Sequence, residues 1–340
     1  MADDIRMQSQ TFRQMAQEAP PAWEHALSKL GDLSRFRRIV FTGMGSSYFA
    51  SVAGASTLAG LGIPSAHELT SSLLYYGQGR LGKDDLLVAI SQSGESVEVV
   101  KFLQQLAGGG ISVLGVTNKA NTSVGRLSDA CLELAVPPDH GVAVKTYGAS
   151  VLALLYLAAR LTGRSGSTWA EGAGQAAAAV ERANRNEKAW RQFGQELLHV
   201  PAAAVTGRGP SLSAAMAGAL LFNEVAKVPA WGEDGGEFRH GIVEVAQPGF
   251  LTGVVMARGP SLDLGMILAR ELVQTGARVL AVVPEPAAGA ASGTGATVFP
   301  VAELDEPLMP LVQIVPFQWI SCGWAEARAL SPAASGTRRA

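Results

Sequence analysis

An internal repeat constrains the fold of this chain more than any other sequence feature. The segment FTGMGSSYFA at 41–50 is echoed by VTGRGPSLSA at 205–214, and LLVAISQSGES at 86–96 is echoed more faintly by GVVMARGPSLD at 253–263. The offsets of the two pairs are nearly equal, and two copies are too few for a solenoid. The sequence therefore predicts a duplicated domain.

The type of domain follows from how apolar runs are spaced along the chain. Strand-like runs rich in Val, Ile and Leu alternate with helical stretches rich in Ala and Leu; they include RRIVFTG, DDLLVAIS, ISVLGVTN, AAAVTG, FLTGVVMA and RVLAVVP. Such alternation indicates βαβ units and a parallel sheet covered on both faces. Each copy is therefore expected to be a parallel-sheet α/β/α sandwich.

The segments outside the two copies complete the predicted organisation. The stretch before the second copy is rich in Ala, Glu and Arg with helical periodicity, and the last residues are small and polar. The predicted parts are an N-terminal helix at 1–33, a first domain at 34–163, a connecting helix at 164–199, a second domain at 200–331 and a C-terminal tail at 332–340.

Composition excludes several functional classes. The 340 residues are 48% hydrophobic and 16% charged with a net charge of −2, so no basic surface favours nucleic acid. The most apolar run, Gly148–Leu161, is too short to span a membrane and is interpreted as a buried core helix. The start MADDIRMQSQ does not resemble a signal peptide, and Cys131 and Cys322 lack metal-ligand spacing. A reduced, cytoplasmic protein without metal or cofactor is expected.

Two serine-rich turns are the strongest candidate site. GMGSS and SQSGES each follow a predicted strand and open a predicted helix, where unpaired backbone N–H groups and the helix dipole favour an anion. The alternative is that each serine is only a helix N-cap, which is the usual role of serine in such a turn. Two such turns in one copy, both at carboxyl ends of strands, favour a phosphate site.

The second copy lacks the hydroxyl cluster of the first. ARGPSL stands where SQSGES stood, which implies one phosphate site per chain. GMGSSY lacks the third glycine of a dinucleotide-binding fingerprint, and no G-K-[ST] motif is present, so a nucleotide-binding protein is a remote alternative.

Two residues of the second copy are candidates for proton transfer. Glu224 is the lone carboxylate near the end of an apolar helix, where desolvation would raise its pKa, although most helical glutamates are simply exposed. His240, in GEFRHG, suits acid–base chemistry at neutral pH, although a loop histidine is more often structural or exposed. His25, His67 and His199 are interpreted as structural or exposed, and His140 is left open.

Together these motifs resemble the sugar isomerase (SIS) family. The resemblance covers about 37–330 and is carried by GMGSSY, SQSGES, HGVAVKTYG, GALLFNEV, GEFRHG and VPFQW. Within the family it is strongest to the isomerase half of glucosamine-6-phosphate synthases and to free-standing deaminase and deglycase relatives. It implies two tandem SIS domains of flavodoxin-like type.

The resemblance also implies roles for individual residues. Glu224 matches the general base that moves a proton between C1 and C2, and His240 matches a residue that helps open the sugar ring and is supplied by the partner subunit. A homodimer with a shared active site is therefore implied. The implied substrate-binding residues are Ser47, Ser91, Gln92, Ser93 and Ser96, which hold a sugar phosphate, and Val142, which presents backbone to the sugar.

Three departures from the family pattern limit this interpretation. No glutaminase segment precedes the repeat, so synthesis from glutamine is not expected. Leu221 stands where the synthase carries a lysine, and the last lysine in the chain is Lys227, so the C-terminal lysine of the family is absent. Arg338 and Arg339 cannot form an imine, because a guanidinium stays protonated. The expectation is an isomerase or deaminase-type enzyme for an amino- or keto-hexose 6-phosphate; the alternative is a non-catalytic sugar-phosphate sensor.

Overall fold

The computed structural model describes residues 1–77 and 79–330, and in it helices alternate with strands except at α6, α7 and α8, which follow one another. The helices are α1 (Ala2–Ser28), α2 (Ser46–Gly60), α3 (Thr70–Tyr76), α4 (Val97–Leu106), α5 (Ser123–Leu127), α6 (Lys145–Leu161), α7 (Gly166–Asn184), α8 (Glu187–Gln195), α9 (Pro210–Leu221), α10 (Leu262–Gln274), α11 (Ala288–Ser292) and α12 (Met309–Ala327). The strands are β1 (Arg38–Gly43), β2 (Ser65–Leu69), β3 (Asp85–Ile90), β4 (Ser112–Thr117), β5 (Ala130–Glu133), β6 (Ala203–Gly207), β7 (Ala230–Asp234), β8 (Leu251–Val255), β9 (Arg278–Pro284) and β10 (Thr297–Val301).

The chain forms two compact units. Among the described residues, the first unit comprises 10–138 and 145–174, and the second comprises 1–9, 139–144 and 175–330. The loop 139–144 therefore groups with the second unit, although its neighbours in sequence belong to the first. The segment 164–199 was expected to form one helix but forms two, α7 and α8, which end and begin around residues 185–186.

Each unit contains one five-stranded parallel sheet, and the two sheets have the same strand order. The order is β2-β1-β3-β4-β5 in the first unit and β7-β6-β8-β9-β10 in the second. In both sheets, the second strand along the chain pairs with one side of the first strand, and the third strand pairs with its other side. The crevice beside such a switch point, at the carboxyl ends of the strands, is where ligands bind in open α/β sheets. The turns after β1 and β3, and after β6 and β8, therefore lie side by side.

The core of each unit is formed by the buried strands and by the apolar faces of the helices. Strand β3 is buried along its whole length, as expected for an inner strand of a parallel sheet covered on both faces. Helix α4 presents Val99, Phe102 and Leu103 to this core while Lys101 faces out, which is the i, i+3, i+4 pattern of an amphipathic helix. The run Gly148–Leu161 lies in α6, which is buried over most of its length, as predicted. Within the described part of the chain, no helix has the length and apolarity needed to cross a bilayer.

Candidate active site

The turn after β1 brings the start of α2 close to the end of β3. Gly45 adopts a φ of 55°, and α2 begins at the next residue. A Cβ on Gly43 would lie 3.0 Å from the Tyr48 backbone nitrogen and 3.1 Å from the Ile90 carbonyl oxygen, so only glycine permits this approach. The side chain of Ser47, in the first turn of α2, is 9% exposed. The first serine-rich turn is thus packed against the strand that leads into the second.

The second serine-rich turn, Ser91–Ser96, is held by backbone hydrogen bonds. The Ser91 N–H donates to the Val116 carbonyl (3.0 Å) and the Gly94 N–H donates to the Ser91 carbonyl (3.0 Å). Gly94 has a φ of 68°, and a Cβ there would lie 2.0 Å from the Thr122 hydroxyl oxygen. Glycine is therefore required for both conformation and space, and the shape of the turn is set by its neighbours before any ligand arrives.

The hydroxyls of this turn do not behave as ordinary N-caps. Ser96 occupies the N-cap position of α4, but its side chain accepts no N–H from the helix. The Ser96 hydroxyl lies instead 2.8 Å from the Ser91 hydroxyl, and the Ser93 hydroxyl accepts the Glu95 N–H at 3.2 Å. Ser93 is exposed and Gln92 is half-buried. The structure therefore does not support the interpretation that the Ser96 side chain only caps α4.

A carboxylate within the same turn is directed away from it. Glu95 accepts the Ser123 backbone N–H at 2.9 Å, and the hydrogen bonds from Ser123 lower the pKa of Glu95. The first turn of α5 thus neutralises part of the negative charge that would otherwise repel a bound anion. The sequence did not reveal this pairing, because the two residues are distant along the chain and no local pattern links them.

Glu224 lies in a π-helical turn, Phe222–Ala226, that continues α9. The side chains of Phe222, Val225 and Ala226 are buried there, whereas Glu224 is exposed. The expectation that Glu224 is desolvated in an apolar helix is therefore wrong for the single chain, because the apolar positions of the turn face the core and Glu224 does not. Single π-helical turns are frequent at functional sites.

Asn223 fastens this π-helical turn to the start of β7, a role that the sequence did not reveal. Its amide nitrogen donates to the Ala230 carbonyl at 2.6 Å, and its amide oxygen accepts the Ala230 N–H at 2.9 Å. The same nitrogen donates to the Ala219 carbonyl at 3.2 Å, one turn back in α9. Lys227, with a φ of 55°, ends the turn, and its ammonium donates to the Glu224 carbonyl at 2.8 Å. The backbone that carries Glu224 is thus held from both sides.

His240 lies at the end of a short 3₁₀ turn, Glu237–His240, that follows β7. The His240 side chain is exposed, whereas Phe238 is completely buried in the core of the second unit. The Arg239 guanidinium forms an ion pair with Glu271 at 2.6 Å. The buried ring and the ion pair fix the segment on either side of His240, so its imidazole is presented to solvent by an anchored backbone.

Val142 belongs to the loop 139–144 of the second unit and is 8% exposed. The Asp139 carboxylate accepts the Val144 N–H at 3.0 Å, which closes the loop. The His140 N–H and imidazole Nδ1 lie 3.0 and 2.9 Å from the two carboxylate oxygens of the buried Asp4. His140, which the sequence left open, thus contacts the N-terminal part of its own unit.

The predicted residues are divided between the two units. Ser47 and the turn Ser91–Ser96 belong to the first unit, whereas Val142, Glu224 and His240 belong to the second. Arg338 and Arg339 lie outside the described residues. The thiols of Cys131 and Cys322 are free, and burial raises the pKa of Cys131 to about 11 and that of Cys322 to about 12. Neither thiol is therefore a nucleophile at neutral pH. No group of three metal-ligating side chains occurs in the described ranges.

The first sheet, with its two turns, lies in the part of the chain that matches a known family. Residues 32–160 match the SIS domain family model. This part of the chain is a SIS domain. It contains Ser47, the turn Ser91–Ser96 and Val142, whereas Glu224 and His240 lie beyond the matched residues.

Similar proteins extend the likeness beyond the matched SIS domain. The glutamine–fructose-6-phosphate aminotransferase (isomerizing) of Thermococcus kodakarensis is 26% identical over 311 residues, covering 88% of this chain and 51% of the relative. The chain spans about half the length of the curated relatives it matches.

Solved structures share the fold over nearly the whole chain. The C-terminal domain of glucosamine-fructose-6-phosphate aminotransferase from Francisella tularensis superposes with a TM-score of 0.88 at 19% identity, covering 96% of each chain. Tagatose-6-phosphate ketose/aldose isomerase from Escherichia coli superposes with a TM-score of 0.81 at 19% identity, covering 98% of this chain and 94% of the isomerase. At these identities the likeness establishes the fold.

Proposed function

We propose that this chain is a phosphosugar isomerase or deaminase-type enzyme that acts on a hexose or aminohexose 6-phosphate. The observation that carries the proposal is the turn Ser91–Ser96 of the SIS domain, whose hydroxyls lie at the start of α4 without capping it. The names of its relatives support the same substrate class, since they describe proteins that act on hexose 6-phosphates.

Phosphate binding at this turn needs no cationic side chain. The first N–H groups of α2 and α4 have no partners within their helices, and both helix dipoles place positive potential at the same edge of the sheet. The hydroxyls of Ser47, Ser91, Ser93 and Ser96 can rotate to donate to phosphate oxygens, and the Gln92 amide adds a further donor. The phosphate is remote from the reacting carbons, so its binding energy positions the open-chain sugar.

Proton transfer between C1 and C2 is assigned to Glu224. Its carboxylate takes the proton from C2 of the open-chain aldose while the carbonyl oxygen is protonated, and the electron pair of the broken C–H bond forms the C1–C2 double bond of an enediol. Return of the proton to C1, with loss of the C2 hydroxyl proton to solvent as the C2 carbonyl forms, gives the ketose. One carboxylate serves both carbons, because they are adjacent on the same face of the enediol.

A site shared between two copies of the chain is part of the proposal. Glu224 precedes β7 and His240 follows it, and Asn223 keeps the π-helical turn at the first residue of this strand. The five residues of β7 span ~17 Å, which separates the segments that carry the two side chains. This separation, and the exposure of Glu224 in the single chain, support a homodimer in which His240 of one copy serves the other copy.

The experiment that tests the activity is solvent deuterium exchange. Wild type and Glu224→Gln are incubated in D₂O with fructose 6-phosphate or glucosamine 6-phosphate, and deuterium at C1 and C2 is followed by NMR. We expect exchange in wild type and a rate at least ~100-fold lower in the variant, which is the typical contribution of a general base. The matched control is Glu244→Gln, an exposed glutamate of the same unit, which retains the wild-type rate.

The second candidate function is a non-catalytic sugar-phosphate sensor. The observation that favours it is Leu221, which is buried in α9 and stands where the resemblance to the synthase implies a lysine. The same experiment separates the two functions, because a sensor binds the sugar phosphate but exchanges no faster in wild type than in Glu224→Gln.

A further inference from the structure

A buried carboxylate in the first turn of α1 contacts the loop 139–144. The Asp4 side chain is completely buried, although that of the neighbouring Asp3 is 84% exposed. Both Asp4 oxygens contact one residue that lies 136 positions further along the chain: Oδ2 accepts the His140 N–H at 3.0 Å, and Oδ1 lies 2.9 Å from the His140 imidazole Nδ1. Oδ2 also lies 3.3 Å from the Met1 amino nitrogen. Asp4 and the loop belong to the same unit, the second.

Hydrogen bonding, and not packing, holds His140 in place. Its side chain is 74% exposed, so burial of the ring contributes little to fixing the loop. The buried Asp4 carboxylate engages both the backbone and the ring of His140, and hydrogen bonds to a charged acceptor are stronger than those between neutral groups. Asp4 therefore fixes the start of the loop.

The other end of the loop is held by a second carboxylate. Asp139 accepts the Val144 N–H at 3.0 Å, and Gly141 has a φ of 101°, which favours glycine. The backbone of residues 141–143 thus runs between two fixed positions, and its N–H and C=O groups are oriented before a ligand binds. Val142, which is 8% exposed, lies in the middle of this stretch.

We propose that Asp4 is a positioning residue that acts through His140 on the sugar-binding backbone around Val142. A loop that is already ordered loses less conformational entropy when it binds a ligand, so anchoring the loop strengthens binding. Asp4 takes no part in proton transfer. The inference rests on the proposed function, which assigns a sugar phosphate to this protein, and on the backbone role expected of Val142.

The effect on binding is tested by comparing Asp4→Ala with Asp3→Ala in titration calorimetry with fructose 6-phosphate and with glucosamine 6-phosphate. Asp3 is the matched control, because it is the exposed neighbour in the same turn and pairs with Arg6. We expect the affinity of Asp4→Ala to fall about tenfold at unchanged stoichiometry, whereas Asp3→Ala stays within about twofold of wild type. A variant that is only less stable shows fewer binding sites at the wild-type affinity. That result for Asp4→Ala, or equal affinities of the two variants, overturns the proposal.

A double-mutant cycle tests whether Asp4 acts through His140. Once Asp4 is replaced by Ala, the His140 ring has lost its carboxylate partner, so adding His140→Ala should weaken binding no further. Fully additive losses mean that Asp4 acts by another route and contradict the proposal.

Amide hydrogen exchange tests the anchor without a ligand. Asp4→Ala should speed exchange of the His140 amide at least ~10-fold, whereas Asp3→Ala leaves it unchanged. Equal rates in the two variants overturn the proposal whether or not a sugar phosphate binds. A wild type that binds neither sugar phosphate contradicts the proposed function, while faster exchange in Asp4→Ala alone still supports the anchor. If Asp4→Ala does not fold, Asp4→Ser replaces it, and a folded Ser variant with wild-type affinity and exchange also overturns the proposal.

Discussion

Single residues determine how the candidate phosphate site is shaped and charged. Gly94 has no room for a side chain beside Thr122, so the turn cannot relax into a different conformation. Ser91 and Ser96 share a hydrogen bond that a phosphate oxygen can replace without leaving either hydroxyl unpaired. Glu95 is engaged by α5 and does not oppose the anion. These three features together make the turn ready for an anion before one binds.

Removal of the hydroxyls is expected to weaken binding of a sugar phosphate. The double variant Ser91→Ala, Ser93→Ala loses two donors to a charged acceptor, each worth roughly 1.5–3 kcal/mol, so affinity for fructose 6-phosphate should fall at least ~100-fold. Titration calorimetry measures the change, and Ser72→Ala, an exposed serine of α3, is the matched control. Unchanged affinity in the double variant would remove this turn from the site.

His67 is expected to make stability depend on pH. Burial lowers the pKa of His67, whose ring lies 3.1 Å from the Tyr48 hydroxyl beside Ser47. Because the folded-state pKa is below the unfolded one, this contribution to stability is present above the unfolded pKa of about 6.5 and is lost as pH falls through the folded value. Thermal unfolding followed from about pH 7.5 to 5 should show this loss, and His67→Gln should reduce it. His25→Gln, at an exposed position of α1, is the matched control.

At the scale of elements, the junction from α9 to β7 places the proposed base. The π-helical turn ends α9 and directs Glu224 outward, and Asn223 joins the turn to the strand through both atoms of its amide. The sequence pattern predicted a helix over this segment but could not show the change of helical period. A π-helical turn differs from an α-helix by one hydrogen-bond step, and no residue type signals that step.

Loss of the Asn223 clamp is expected to impair catalysis more than binding. Asn223→Ala removes the hydrogen bonds to Ala230 and should lower kcat for the proposed isomerisation by about tenfold or more with little change in KM, because Glu224 is displaced while the phosphate turn is intact. Its cost in stability should be about 1 kcal/mol, since the clamp is partly exposed to solvent. Steady-state kinetics and denaturant unfolding measure the two effects, with Asn186→Ala, an exposed asparagine of the same unit, as control. A positioning role for Asn223 would be contradicted if Asn223→Ala and Asn186→Ala changed kcat and KM by the same amounts.

At the scale of the whole molecule, the two units contain sheets of equal strand order but carry different residues at the carboxyl ends of their strands. The first unit has the serine-rich turns, and the second carries Glu224 and His240. Divergence of one copy is compatible with a single substrate site, because only one anion needs to be held.

A shared active site predicts complementation between two inactive variants. Glu224→Gln and His240→Ala should each be inactive alone, whereas their co-expression should restore about a quarter of wild-type activity. The reason is that half of the randomly formed dimers are mixed, and each mixed dimer has one intact site of two. Activity of the co-purified variants is the measurement. If a population that contains mixed dimers shows no recovery of activity, the active site is not shared between two copies.

The sequence by itself determined the parallel α/β fold class, six of the strands and the positions of the two serine-rich turns. Each of these follows from local pattern: apolar runs set the buried strands, and glycines mark the places where strand and helix meet. Only the tertiary structure decided which distant residues pair, such as Glu95 with Ser123, and how Asn223 joins Ala230. The exposure of Glu224 belongs with them, since it depends on which side of a π-helical turn the core lies. Such contacts depend on the path of the chain in space, and neither propensity nor periodicity encodes that path at single-residue precision.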